Sequence, residues 1–152
     1  MKFPYQITHF WLPMGVALSL SQPVDASLNS NLTVEISGLN NQSGQVCLSL
    51  FASSRGFPNS KEDAVQTQCV KITNTPLQVT FDNLSPKTYA VAVFWDDNGD
   101  GELNRNFLGI PTEKFGFSSN PVIKTGPPKF GESAILVSGK NTKIQIQLRS
   151  LI

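Results

Sequence analysis

An all-β sandwich of about seven strands is the fold this sequence predicts. Three observations carry it. Short apolar–polar alternations recur along the chain, separated by clusters of Gly, Pro, Asn and Ser. No amphipathic helix of useful length can be drawn through residues 27–152. And TYAVAVFW, residues 88–95, is apolar on both parities, as a central strand covered on both faces must be.

The first strand is LTVEISGL, with Leu32, Val34 and Ile36 on one face and Thr33, Glu35 and Ser37 on the other. NNQSG supplies turn chemistry. QVCLSLF then points Val46, Leu48 and Leu50 inward and Cys47, Ser49 and Phe51 to the opposite, polar-facing side. ASSRGFPNSKEDAV is polar and broken by Gly56 and Pro58, so it reads as a loop with one helical turn. CVKIT and LQVTF, separated by TNTP, are short strands with Val70, Ile72, Leu77, Val79 and Phe81 inward. The central strand adds Tyr89, Val91 and Val93 to the core. Residues 96–129 form a long irregular loop after it, rich in Gly, Pro, Asn and Phe. A connection of that length in a compact domain is functional or poorly ordered. SAILV and TKIQIQL complete the set, with Ile135, Val137, Ile144, Ile146 and Leu148 inward, joined by SGKN as a hairpin turn.

Residues 1–26 have the layout of a secretory signal peptide: Lys2, an apolar run from Phe10 to Leu20, and small residues Val24 and Ala26 before the expected cut. The run is too short to span a bilayer, which needs about 20 residues. No cysteine lies near the cut, which argues against a lipid anchor. The expectation is a secreted or periplasmic protein whose residues 27–152 form a single β-sandwich domain. No later apolar run is long enough to cross a membrane. The 12 Lys and Arg nearly balance the 11 Asp and Glu, and no basic stripe appears, so nucleic acid is not an expected partner. His9, the one histidine, falls in the signal segment. Histidine-based triads are therefore excluded from the exported chain, and an ordinary zinc site is not expected there. Cys47 and Cys69 are expected to form a disulfide, the default for a lone pair in an exported protein.

The chemistry concentrates in DDNGDGELN, residues 96–104. Asp96, Asn98 and Asp100 occupy alternate positions, Gly101 follows, and Asn104 comes three residues later. This is the opening of a calcium loop of the EF-hand or dockerin kind. Ca²⁺ takes six to eight hard oxygens, and alternate residues of a tight loop can aim theirs inward, with the Glu102 carbonyl as a further ligand. The twelfth position, where a bidentate acid belongs, is Phe107, and no helices flank the loop. The EF-hand fold is rejected, and Glu113 becomes the replacement acid. Ca²⁺ is thus the expected cofactor, against a plain alternative in which Asp and Asn cap the strand end through Asx turns.

Trp95, Phe107, Phe115, Phe117 and Phe130 lie in or beside the same loop. They could form a platform for a glycan or a cell-surface protein. The preferred expectation is that they fold back as a small satellite core, because Gly or Pro flanks the Phe residues. Asp96, Asp97, Asp100, Glu102 and Glu113 could supply a carboxylate pair for a hydrolase. Acids in a Gly-rich turn are well solvated and a small domain offers little concave surface, so no enzyme is expected. The leading expectation is an exported non-catalytic module with a calcium-stabilised loop. The alternative is a carbohydrate- or protein-binding module using the loop aromatics.

FDNLSPKTYAVAV resembles the F-x-x-L-x-P-x-x-Y-x-V-x-V segment of prealbumin-like and carboxypeptidase-regulatory-like β-sandwich modules, matching at Phe81, Leu84, Pro86, Tyr89, Val91 and Val93. Lys87 stands where such modules usually have Gly. A longer resemblance runs through GLNNQSGQVCLSLF, GFP, the block from Phe81 to Asn120, and GPPKFGESAILV. In that order these are similar to the domain-of-unknown-function family 2141, small exported bacterial proteins. The resemblance implies a prealbumin-like sandwich and export, and supplies no activity. Trp95 stands where the family often has His, so any chemistry of that His is absent here.

Overall fold

Alternation decides the strands, and the strands build two layers. In the computed structural model, which describes residues 29–151, β1 (Ser30–Ser37) buries every second residue, with Leu32, Val34 and Ile36 fully shielded. It pairs antiparallel with β4 (Leu77–Leu84), in register Ile36 to Leu77 and Val34 to Val79. On its other edge it pairs parallel with β8 (Asn141–Gln147), Val34 to Ile144 and Ile36 to Ile146. This three-stranded sheet faces a second one, ordered β3 (Gln66–Lys71), β2 (Gln45–Phe51), β5 (Lys87–Asp96) and β6 (Phe115–Phe117). A short strand, β7 (Ile135–Val137), shares the same edge of β5 further along. The expected signal segment 1–26 lies outside the described residues.

The core between the layers takes in Leu32, Val34, Ile36, Val46, Leu48, Leu50, Ile72, Val79, Phe81, Tyr89, Val91, Val93, Val137, Ile146 and Leu148, all expected from the alternation. Val70, Ile135 and Ile144 pack against it only partly buried. Each sits on a strand with one hydrogen-bonded neighbour in its sheet, β3, β7 or β8. Tyr89 is the third residue of β5, and its hydroxyl donates to the Ser85 carbonyl 3.0 Å away, which pins the turn between β4 and β5. The left-handed residue of that crossing is Asn83 (φ 58°), so Lys87 need not be Gly.

Three expectations need correction. SGKN does not close a hairpin. β7 pairs antiparallel with β5, while β8 crosses to the other sheet and pairs parallel with β1. β8 has a single apolar face and needs the opposite layer, and Ser30 and Asn31 hold the crossing by bonding the carbonyls of Gly139 and Lys140. Next, residues 96–129 are not one irregular loop. FGF forms an eighth strand, β6, too short to show periodicity in the sequence. It lies so close to β8 that a Cβ on Gly116 would stand 2.8 Å from the Ile146 side chain. Finally, Phe51 and Cys47 are buried although they face away from the core. The outer side of β2 and β5 is covered as well, and the cover is what shapes the candidate site.

Candidate functional site

β5 ends at Asp96, and the chain turns back around that carboxylate. Gly99 (φ 76°) and Gly101 (φ 78°) take the left-handed conformation that lets successive backbone N–H groups converge. Asp96 Oδ1 accepts from the amides of Gly99 (2.7 Å) and Asp100 (3.1 Å), and Oδ2 from Gly101 (2.7 Å) and the Gln45 side chain (2.7 Å). The side chain is wholly buried. Burial by itself raises its pKa, but the Gln45 amide and the three backbone donors outweigh that and hold the carboxyl below its ordinary range. Asp96 is a charged clasp.

The other expected ligands meet in the same loop. Asn98 Nδ2 donates to Asp100 Oδ2 (2.9 Å) and to Asn104 Oδ1 (3.1 Å), and Asn104 Nδ2 donates to Asp100 Oδ2 (3.1 Å). Asp100 Oδ1 accepts the Glu102 amide at 2.8 Å, and Asn98 Oδ1 the Asp100 amide at 3.1 Å. The Glu102 amide, with the Asn104 and Asn98 side chains, lowers the Asp100 pKa. Glu113 does come back to the loop, bonding the amides of Asp97 (3.2 Å) and Asn104 (2.9 Å) through its two oxygens. The Glu102 side chain is exposed. Asp100, Asn98 and Asn104 thus form a tight oxygen-bearing knot, with Asp96 and Glu113 one layer behind it holding the backbone. Among the described residues no three His, Cys, Asp or Glu side chains gather as metal ligands.

The five aromatics do not share one surface. Trp95 points into the main core, with Nε1 donating to the Ser43 carbonyl at 2.9 Å, because its parity is that of Val91 and Val93. Phe107 is 95% exposed at a loop tip. Phe115 and Phe117 lie on the outer face of the five-stranded sheet, opposite Phe94 and Ala92 of β5, and are buried there. Phe130 reaches them through Phe57, which the sequence reading did not single out. Phe57 stands edge-on to Phe51 (5.3 Å), Phe117 (6.0 Å) and Phe130 (5.9 Å). Phe115, Phe117 and Phe130 therefore belong to a satellite core with Phe57 as its hub. The signal for Phe57 was its place between Gly56 and Pro58, a bend that turns a ring inward. Phe57→Ala is expected to cost about 2 kcal/mol, less than the ~3–5 of a fully buried Phe. A lower urea midpoint with unchanged m value is the readout.

Cys47 and Cys69 face each other in register on β2 and β3 and are bonded. They close the segment that carries Phe57 over the sheet. Beside this cover runs a groove of about 580 Å³, floored by Ala92, Phe94, Phe115 and Phe117. Its walls come from the 58–61 and 103–111 segments, with Ile123, Gly126, Pro127 and Leu151.

A family model described as "Uncharacterized protein conserved in bacteria (DUF2141)" matches residues 34–145. No curated protein and no solved structure matches the chain.

Proposed function

The chain belongs to the DUF2141 family of bacterial proteins, and from that premise we propose that it is an exported, non-catalytic β-sandwich module whose acidic loop takes up a calcium ion. The observation that supports the loop reading is the knot of Asp100, Asn98 and Asn104, whose side chains meet within 2.9–3.1 Å. The two Asn amide groups there supply the positive ends that face Asp100 Oδ2. Rotating the Asn98 amide exchanges its N–H₂ for an oxygen and gathers three hard oxygens, the donor class Ca²⁺ prefers. Asp96 and Glu113 do not ligate in this arrangement; they fix the backbone around the ion. With one carboxylate in contact, the affinity belongs with weak extracellular sites, about 10⁻³ M.

Two features support the non-catalytic reading. The carboxylates of Asp96 and Glu113 are engaged by backbone amides. Among the described residues, those lining the groove include no Asp or Glu. Export is supported by the signal-like residues 1–26 and by the cysteine pair.

Thermal unfolding in EDTA, in Ca²⁺ and in Mg²⁺ tests the loop. At ten times Kd, Ca²⁺ is expected to add about 1.4 kcal/mol of stability by mass action, with Mg²⁺ adding less. Asp100→Asn keeps the size of the side chain, removes its charge and one acceptor oxygen, and should abolish the rise. A wild-type midpoint that ignores Ca²⁺ leaves the loop as a self-satisfied turn.

A further inference from the structure

The groove on the outer face of the five-stranded sheet adjoins the acidic loop through Lys61, but its lining has a different chemistry. Its floor is apolar, with Phe115 and Phe117 each 7% exposed beneath the cavity and Ala92 and Phe94 beside them. Ile110 and Leu103 continue the apolar lining on one wall. A cavity of about 580 Å³ is in the range that takes a small organic molecule. Among the described residues the lining holds two charged side chains, Lys61 and Arg105, both exposed and both cationic. Lys61 Nζ donates to the Gly101 carbonyl and Arg105 Nη1 to the Gly109 carbonyl at 3.0 Å. The ion pairs found among the described residues, Arg55 with Asp63 and Lys143 with Glu35, involve neither. Each cation is thus positioned by a carbonyl; Lys61 also lies in the field of the Asp100 carboxylate, while Arg105 is in no ion pair among the described residues.

The wall that carries Arg105 is rigidly made. Asn106 accepts the amides of Leu108 and Ile110 on its side-chain oxygen, both at 3.0 Å, and Arg105 bridges to Pro111. This turn presents Phe107 and Leu108 to solvent, 95% and 67% exposed, immediately before the lining residues Gly109 and Ile110. An apolar floor, an apolar lip and two cations, with no acid among the described lining residues, suit a ligand of matching polarity.

The geometry points to a binding site for a small amphipathic anion, a molecule with an apolar body and one carboxylate-type head. The body lies along Phe94, Phe115, Phe117 and Ile110, and the head meets Lys61 and Arg105. Neutral sugars do not fit the charge, and cations are repelled. The site stands without calcium, so it is tested in EDTA and its outcome is independent of the loop reading.

The probes are decanoate, decanol and decyltrimethylammonium, compared by calorimetric titration below their micelle concentrations. Decanoate is expected to bind about tenfold more tightly than the other two, the worth of one charge-assisted contact. Lys61→Gln with Arg105→Gln should erase that preference and leave the decanol affinity unchanged. Ala92→Leu should weaken all three by filling the floor, with circular dichroism confirming the fold; Phe94→Ala serves if that variant does not fold. Equal affinity for the three probes, or no saturable decanoate binding, overturns the proposal. So does co-sedimentation with anionic vesicles in the absence of decanoate binding, which assigns the face to a membrane. A wild-type dimer that Ala92→Leu dissociates also overturns it, because the groove is then covered by a second copy.

Discussion

Asp96→Asn is expected to destabilise the protein by about 3 kcal/mol, the result of turning one of two acceptor oxygens into a donor in a buried site. The carboxylate receives four donors and no solvent. An Asn at this position keeps one oxygen for two of them. Its NH₂ then confronts the other two, for example the Gly101 amide and the Gln45 side chain. Each donor left unpaired in a buried place costs about 1–3 kcal/mol. The loss should reach the groove as well, since the 97–114 segment starts at this clasp. Asp97→Asn is the control. Asp97 is exposed and holds one bond from the Ser43 hydroxyl at 2.7 Å, so its replacement should stay within about 0.5 kcal/mol.

The pH dependence follows from the same contacts. The folded state holds the Asp96 pKa below its ordinary value of 3.8. Its contribution is therefore fully present above the unfolded pKa, near 4, and is lost as pH falls through the lower folded value. Urea midpoints between neutral pH and pH ~3 should fall for wild type and fall less for Asp96→Asn. Equal midpoints for Asp96→Asn and wild type at neutral pH would show that the clasp carries no stability.

Reduction of Cys47–Cys69 is expected to cost about 3.4 kcal/mol, the chain-entropy value for a separation of 22 residues. The pair joins two strands already in register, so the folded state needs no adjustment to keep it. The gain comes from the unfolded chain, where the bridge confines the segment that includes Phe57, Pro58 and Lys61. The Cys47→Ala/Cys69→Ala protein should show a lower urea midpoint and a larger m value, as a less confined unfolded chain exposes more surface. An unchanged midpoint after reduction, with two thiols counted, sets the bridge aside as a stabiliser.

Residues near one another in the chain made much of this protein legible. Alternation in residues 30–37 and 141–147 named the buried faces of β1 and β8, because a strand's period of two is written directly into its side chains. The two-sided hydrophobicity of β5 announced a centre covered on both faces. The spacing of Asp96, Asn98, Asp100 and Asn104 was enough to bring these residues into one loop, since a Gly-rich turn acts over a few residues. Glu113 also returned to that loop.

Pairing partners were decided elsewhere. β7 and β8 looked like a hairpin from their short link, yet each found a better edge in a different sheet. Local sequence does not encode which edge is free. Asp96 is held by three backbone amides of its own loop, but its fourth donor is Gln45, distant in the chain. Trp95 left the aromatic set because its parity is fixed by β5 and not by its neighbours in the loop. Phe57 gained its importance only when the 52–60 segment folded across the sheet to meet Phe51, Phe117 and Phe130. Strand character and turn chemistry are short-range properties and can be read from the chain alone. Which edge pairs, which carboxylate is saturated and which rings meet depend on contacts between segments distant in the chain, and these exist only once the strands have paired and the chain has folded over them.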